Sequence, residues 1–336
     1  MATNLRAEAD DDGRRLDRIL RKALPDLPLS ALHRLLRQGR IRVNGAPAKA
    51  EDRVPAGAAI TLPRFSGAAP KAAAPPRLPG AARALPPILF EGAGLLVLNK
   101  PPGLAVHGPE SLETLVRAYL APRLPPSLSF RPGPLHRLDK PTSGVIVFST
   151  GLEGARRFSA LLREGRVKKR YLALAEGLLD GPETWRDELL RESAARKTRP
   201  APASAPEART ALTRVTPLAR AAGQTLLLAE IATGRTHQIR AQAAIHRHPL
   251  SGDRKYGAAP LPGGFLLHAW ELGLDEDALP GFPPLITAPP PEPFDRRMTA
   301  LFGAGWLAGL RVSLINHPYF ARLTLSTIAY TLLSRI

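Results

Sequence analysis

The amino-acid sequence predicts an α+β fold in two parts, a small leading module and a larger domain built around a central sheet. Three observations carry this prediction. Apolar residues recur at helical spacing near the N-terminus, an Ala- and Pro-rich stretch interrupts all periodicity after residue 63, and from Ile88 strand-like apolar runs alternate with helical patterns. With 336 residues, of which 44% are hydrophobic, the chain can fill one large core and one small one.

In the first part, Leu16, Ile19 and Leu20, then Leu32, Leu35 and Leu36, mark two short helices. Ser30 stands where it would cap the second helix and Gly39 where it would end it. Ile41 and Val43 then alternate with Arg40 and Arg42 up to an Asn44-Gly45 turn, the pattern of a hairpin. A Pro55-Ala56-Gly57 turn leads to a closing strand at 60–62, so the module is expected over residues 14–63. Residues 64–87 lack the apolar periodicity needed to fold alone and read as a linker. Over residues 88–295 the strand-like runs are 95–98, 145–148, 171–175 and 226–231. Leu152, Ala155, Phe158, Leu161 and Leu162 share one side of a helix. Beyond Asp295 acidic residues cease, and residues 296–336 form a C-terminal extension to which the sequence gives no role. Its apolar stretch is broken by His317, Pro318, Arg322 and Arg335, short of the uninterrupted ~20 residues of a membrane span.

The formal charge is +18, with 47 Lys and Arg against 29 Asp and Glu, which points to a polyanionic partner, nucleic acid first. The basic residues are interleaved with turns rather than gathered on one amphipathic helix, which argues against a membrane surface. The absence of cysteine excludes disulfides, thiolate zinc sites and a cysteine nucleophile. The opening MATNLRAEADDDGRR lacks the apolar core of a signal peptide, so a cytoplasmic location is expected. His237, His246 and His248 have no recognised zinc spacing and read as RNA-facing or structural; neither metal nor cofactor is expected, and a monomer is.

The chemistry concentrates in HRLDKPTSGVIVFS, residues 136–149, where a charged cluster runs through a turn into an apolar strand. Arg137 and Asp139, two apart, share a face if the chain is extended. An isolated Arg-x-Asp is ordinarily a surface ion pair of little worth. Here the stretch resembles the signature of the RluA-type pseudouridine synthase family, and three more segments resemble the family's motifs in the same order. They are LLVLNKPPGLAVHG (95–108), KKRYLAL (168–174), and TGRTHQIRAQ with HPLSGDRKYG (233–257). The resemblance implies a catalytic domain with a central mixed, mainly antiparallel sheet. It implies that Asp139 is the catalytic carboxylate, Tyr171 the active-site tyrosine and Arg240 the cation pairing with Asp139. It also implies that Arg137 enters the RNA stack when a uridine flips out. Lys140-Pro141 departs from the Arg-Asp often found after that aspartate.

RLDRILRKALPDLPLSALHRLLRQGRIRVNG, residues 15–45, resembles the alpha-L RNA-binding fold named after ribosomal protein S-four. The resemblance implies a phosphate-contacting face of Arg34, Arg37, Arg40, Arg42 and Lys49. Together the two resemblances imply a synthase acting on large-subunit ribosomal RNA or its assembly precursors. Such an enzyme breaks the bond from ribose to ring nitrogen, turns the held uracil and rejoins it through carbon. Flipping the nucleotide out of the stack costs a few kcal/mol, which an inserted side chain can offset. The residues leave open whether Asp139 adds to the sugar or removes a sugar proton to give a glycal; the resemblance implies the glycal. A non-catalytic assembly factor would not need Asp139, Tyr171 and Arg240 together, and a glycoside hydrolase would want a second carboxylate where HRLDKPTSG offers one.

Overall fold

A computed structural model describes residues 3–63, 84–124, 127–192, 194–195, 197–202 and 204–315. Contacts gather the chain into two units. One comprises Met1–Leu85, His107–Pro134 and Phe148–Arg156, the other Pro86–Val106, Leu135–Val147 and Arg157–Ile336.

The first unit contains β1 (Thr3–Arg6), β2 (Arg14–Arg15), α1 (Leu16–Ala23), α2 (Leu29–Arg37), β3 (Arg42–Val43), β4 (Ala46–Pro47), β5 (Arg53–Val54), β6 (Ala59–Leu62) and α3 (Leu112–Leu120). The six leucines and isoleucines predicted to share the helix faces are all buried in one cluster. Asn44 and Gly45 both adopt positive φ, 50° and 83°, which closes the predicted hairpin between β3 and β4. The helix start differs from expectation. Pro28 occupies the cap position of α2, so Ser30 lies inside the first turn and makes no cap bond. The strand β1, which sequence periodicity did not reveal, pairs with β6 and buries Leu5. Asp11, fully buried, accepts hydrogen bonds from the Leu128 N–H and the Ser127 and Ser129 hydroxyls, which ties the 127–129 segment to the module.

The large sheet contains β7 (Ile88–Gly92), β8 (Leu95–Lys100), β9 (Ser143–Ser149), β10 (Val167–Glu176), β11 (Glu183–Glu192), β12 (Lys197–Pro200), β13 (Arg209–Ala221), β14 (Gln224–Ile231), β15 (Leu267–Leu274) and β16 (Leu285–Thr287). Their order is β12-β11-β13-β14-β10-β15-β9-β8-β7, with β16 beside β15. Antiparallel pairs run through it, and β9 joins β15 in parallel, so the sheet is mixed and mainly antiparallel. The predicted runs at 95–98, 145–148, 171–175 and 226–231 are all strands of this sheet, and the predicted helix is α4 (Leu152–Arg163).

Alternation along β10 sends Leu172 and Leu174 to one face and Tyr171 to the other. On the leucine face, α6 (Glu292–Phe302) and α7 (Trp306–Ile315) lay Phe294, Met298, Trp306 and Leu310 against Leu172, Leu174, Leu228 and Trp270. The boundary expected at residue 295 therefore falls inside α6. Residues 64–83 of the expected linker and 316–336 of the expected extension lie outside the described residues. Among the described residues, no helix is long and apolar enough to cross a membrane.

Candidate active site

The Asp139 segment is irregular chain rather than strand, held from several sides. A turn bonds the Thr142 N–H to the Asp139 carbonyl at 3.1 Å, and the chain then enters β9. Gly144 sits at φ 108°, where any side chain would collide with the Ala269 carbonyl, so the approach of β9 to β15 demands glycine. Beside it the Ser143 hydroxyl meets His268 Nδ1 at 2.9 Å, and His268 Nε2 donates to the Ala288 carbonyl at 3.0 Å. Burial holds His268 down to about 4, so this ring is neutral and purely structural. Lys100, fully buried at the end of β8, donates to the carbonyls of Pro101, Leu104 and Lys140 at 2.9, 2.8 and 3.1 Å. It pins the residue after Asp139 from beneath. Burial pushes Lys100 down to about 7, against the opposing charge of Asp139.

Across from this segment, α5 (Gln238–Ile245) presents Arg240. Its Nη1 donates to Asp139 Oδ2 at 3.0 Å, while Nε and Nη2 grip Asp253 at 2.7 and 2.9 Å. The guanidinium also lies over the Phe265 ring, 4.1 Å from its centroid. Burial acts to lower the Arg240 pKa, but the bonds and charge of Asp253, then of Asp139, raise it on balance. The Asp253 side chain is 1% exposed, that of Asp139 17%. Arg240 is therefore clamped by one carboxylate and orients the other, which remains open to a cavity of about 290 Å³. Tyr171 rises from β10 into the same cavity, where burial first and the Asp139 charge second push its phenol upward and keep it protonated. Its neighbours across the strands are Ala229 and Ala269, small enough to leave room above the ring. Arg137, exposed, stands at the cavity edge.

The structure thus brings Arg137, Asp139, Tyr171 and Arg240 together. Arg34, Arg37, Arg40, Arg42 and Lys49 belong to the other unit, where all five are exposed. Reading the sequence missed Asp253, although it stands inside a stretch singled out for Arg240's motif; its pairing with Arg240, 13 residues away, is made by packing. His237, read as RNA-facing or structural, lies in the cavity with Nε2 3.8 Å from Asp139 Oδ2 and Nδ1 3.0 Å from the Tyr256 hydroxyl. Burial lowers its pKa, opposed by Asp139. His246 stacks on Trp185 and meets Asp187, and His248 faces the Glu176 carbonyl; both are structural. Among the described residues no group of three or more histidine or acidic side chains could hold a metal.

Residues 94–245 match a family model described as RNA pseudouridylate synthase. A ribosomal large subunit pseudouridine synthase C of Vibrio vulnificus is 33% identical over 262 residues, covering 74% of this chain and 79% of that protein. The chain belongs to the RNA pseudouridylate synthase family. A second relative of this synthase, ribosomal large subunit pseudouridine synthase C of Escherichia coli, is 35% identical over 254 residues, 74% of this chain and 78% of that one. Residues 14–60 of the synthase match the S4 domain. Its fold is shared with human RNA pseudouridylate synthase domain containing 4, at a TM-score of 0.53 and 22% identity over 63% of this chain and 91% of that one. Human RNA pseudouridylate synthase domain containing 1 superposes with a TM-score of 0.52 at 23% identity, over 67% and 94%. The synthase is an isomerase of uridine in RNA, and the cavity is the place in it where a carboxylate, a phenol and a clamped cation converge.

Proposed function

We propose that this synthase isomerises uridines of large-subunit ribosomal RNA, with Asp139, Tyr171 and Arg240 as its catalytic group. The observation that carries this reading is the Arg240 bridge, which fixes one carboxylate through another and leaves it facing a base-sized cavity. Asp139 acts at the sugar by the glycal route, Arg240 keeps it ionised and oriented, and Tyr171 lies against the uracil face. Arg137 at the edge fills the place vacated in the RNA stack when the uridine flips out. The exposed basic residues Arg34, Arg37, Arg40, Arg42 and Lys49 of the module over residues 14–63 hold RNA phosphates without reading sequence. The names of the relatives, acting on the large ribosomal subunit, support the substrate, and the whole-chain charge of +18 supports a polyanion. A cytoplasmic monomer needing no metal or cofactor fits this work.

Mapping pseudouridines in a strain lacking the gene tests the substrate. Defined large-subunit positions should revert to uridine and be restored by the full chain. Loss confined to small-subunit or transfer RNA would overturn the proposal.

A further inference from the structure

Lys169 is a cation of the cavity lining that none of these roles uses. In KKRY, residues 168–171, three basic side chains precede the tyrosine, and the strand deals them differently. Lys168 lies 4.0 Å from Asp275, and Arg170 is buried between Glu230 and Glu271, at 2.9 and 3.2 Å. Lys169 shares the face of Tyr171, as residues two apart on a strand do, and both line the cavity. It is half-buried, and among the described residues its ammonium makes no hydrogen bond or ion pair. Burial lowers its pKa with no carboxylate to offset the effect.

The surroundings keep space for a ligand at this cation. Gly234 faces it, and a Cβ there would stand 3.9 Å from Nζ, so the 233–235 turn approaches without filling the gap. His136, on the cavity wall, accepts the Val147 N–H at Nε2 at 3.1 Å, which places the proton of the neutral ring on Nδ1. Burial, then the charge of Lys169, holds that ring neutral, down to about 3. Lys169 is thus a desolvated cation in search of an anion. Asp139 is already engaged by Arg240.

We propose that Lys169 is a catalytic residue that binds the uracil ring and takes up the negative charge the ring acquires when its bond to ribose breaks. This rests on the assignment of the cavity to the flipped uridine. Cleavage of C1′–N1 leaves the bonding pair on N1 whether Asp139 has added to C1′ or has taken the C2′ proton. The detached uracil is then an anion, its charge spread over N1, O2 and O4. As C5 bonds to C1′, either the Asp139 oxygen departs or the proton returns to C2′; the C5 proton leaves last and N1 is protonated. No redox partner is needed. A partly desolvated cation acts most on charge that develops during reaction, so Lys169 lowers the barrier on either route.

The test is single-turnover conversion by saturating full-length enzyme of an RNA fragment carrying the mapped target, made with uridine or 5-fluorouridine there. Fluorine makes the ring a better anionic leaving group and so less dependent on a stabilising cation. After digestion, the readout in both RNAs is loss of the N1-linked nucleoside. With wild type active on the uridine RNA, Lys169→Met should slow that conversion about 100-fold and slow the fluorinated one far less. Lys169→Arg, which keeps the cation, should recover most of the rate. RNA affinity and the thermal midpoint should hold, since no partner is orphaned. Equal slowing of both RNAs, or weakened binding with an unchanged rate, as for a phosphate contact, would overturn the proposal. Inactivity of wild type on every RNA would instead defeat the functional reading itself.

Discussion

Arg240 shows how one side chain can be a structural anchor between two carboxylates while belonging to the catalytic group proposed above. Because Asp253 takes two of its bonds and is more deeply buried than Asp139, the two carboxylates differ in what they lose with it. Arg240→Met should cost about 3–5 kcal/mol by thermal unfolding, the penalty of stranding buried charge. Adding Asp253→Asn should return most of that loss and Asp139→Asn only a smaller part. Strictly additive losses in both cycles would show that the bridge does not exist in solution. His268 makes a second residue-level prediction. Its folded pKa, about 4, is depressed below the ordinary value of 6.5, so the unfolded chain binds more protons between those values. Its contribution is complete above 6.5 and is lost as pH falls toward 4, about 2 kcal/mol of it by pH 5. His136, held down to about 3, adds a loss of the same sign. The midpoint should therefore drop from pH 7 to 5, and His268→Gln should make that drop shallower; an equal drop in the variant would contradict the assignment.

At the scale of elements, much of the sheet and the helices could be read in the sequence because period-2 and period-3.6 patterns are local. That Asp139, Tyr171 and Arg240 would meet at one cavity was legible because each sits in a contiguous motif. Asp253, Lys169 and His268 were not, since their significance comes from strand register and from partners brought in by packing. The α2 start was misread for a different reason: Ser30 has the right chemistry for a cap, but Pro28 presets the entry and takes the position. The C-terminal helices are the clearest case. Their apolar residues look like an appended tail, yet Met298, Trp306 and Leu310 cover the face of the sheet opposite Tyr171. Trp306→Ala should lower stability by about 3 kcal/mol, by loss of buried area and a cavity. Truncation after Gly305 should give a markedly lower thermal midpoint than truncation after Ile315; equal midpoints for the two would refute the packing role.

Across the whole molecule the formal charge is +18, and the module over residues 14–63 carries exposed basic side chains. Deleting the module would also bare Leu128, which packs on its core, so neutralisation in the full chain is the cleaner probe. Changing Arg34, Arg37, Arg40, Arg42 and Lys49 to Gln should weaken RNA binding and reduce the slope of log affinity against log salt by about four, as fewer counterions are released. An unchanged slope would mean that the module does not touch RNA. The central claim, that a single carboxylate at this cavity isomerises uridine, is tested most directly with Asp139→Asn. Incubated with unmodified large-subunit RNA, the wild-type chain should form pseudouridine. The variant should form none while binding the RNA within about tenfold of wild type, because the phosphate contacts lie elsewhere. Pseudouridine formed by the variant at a rate near that of wild type would contradict the account.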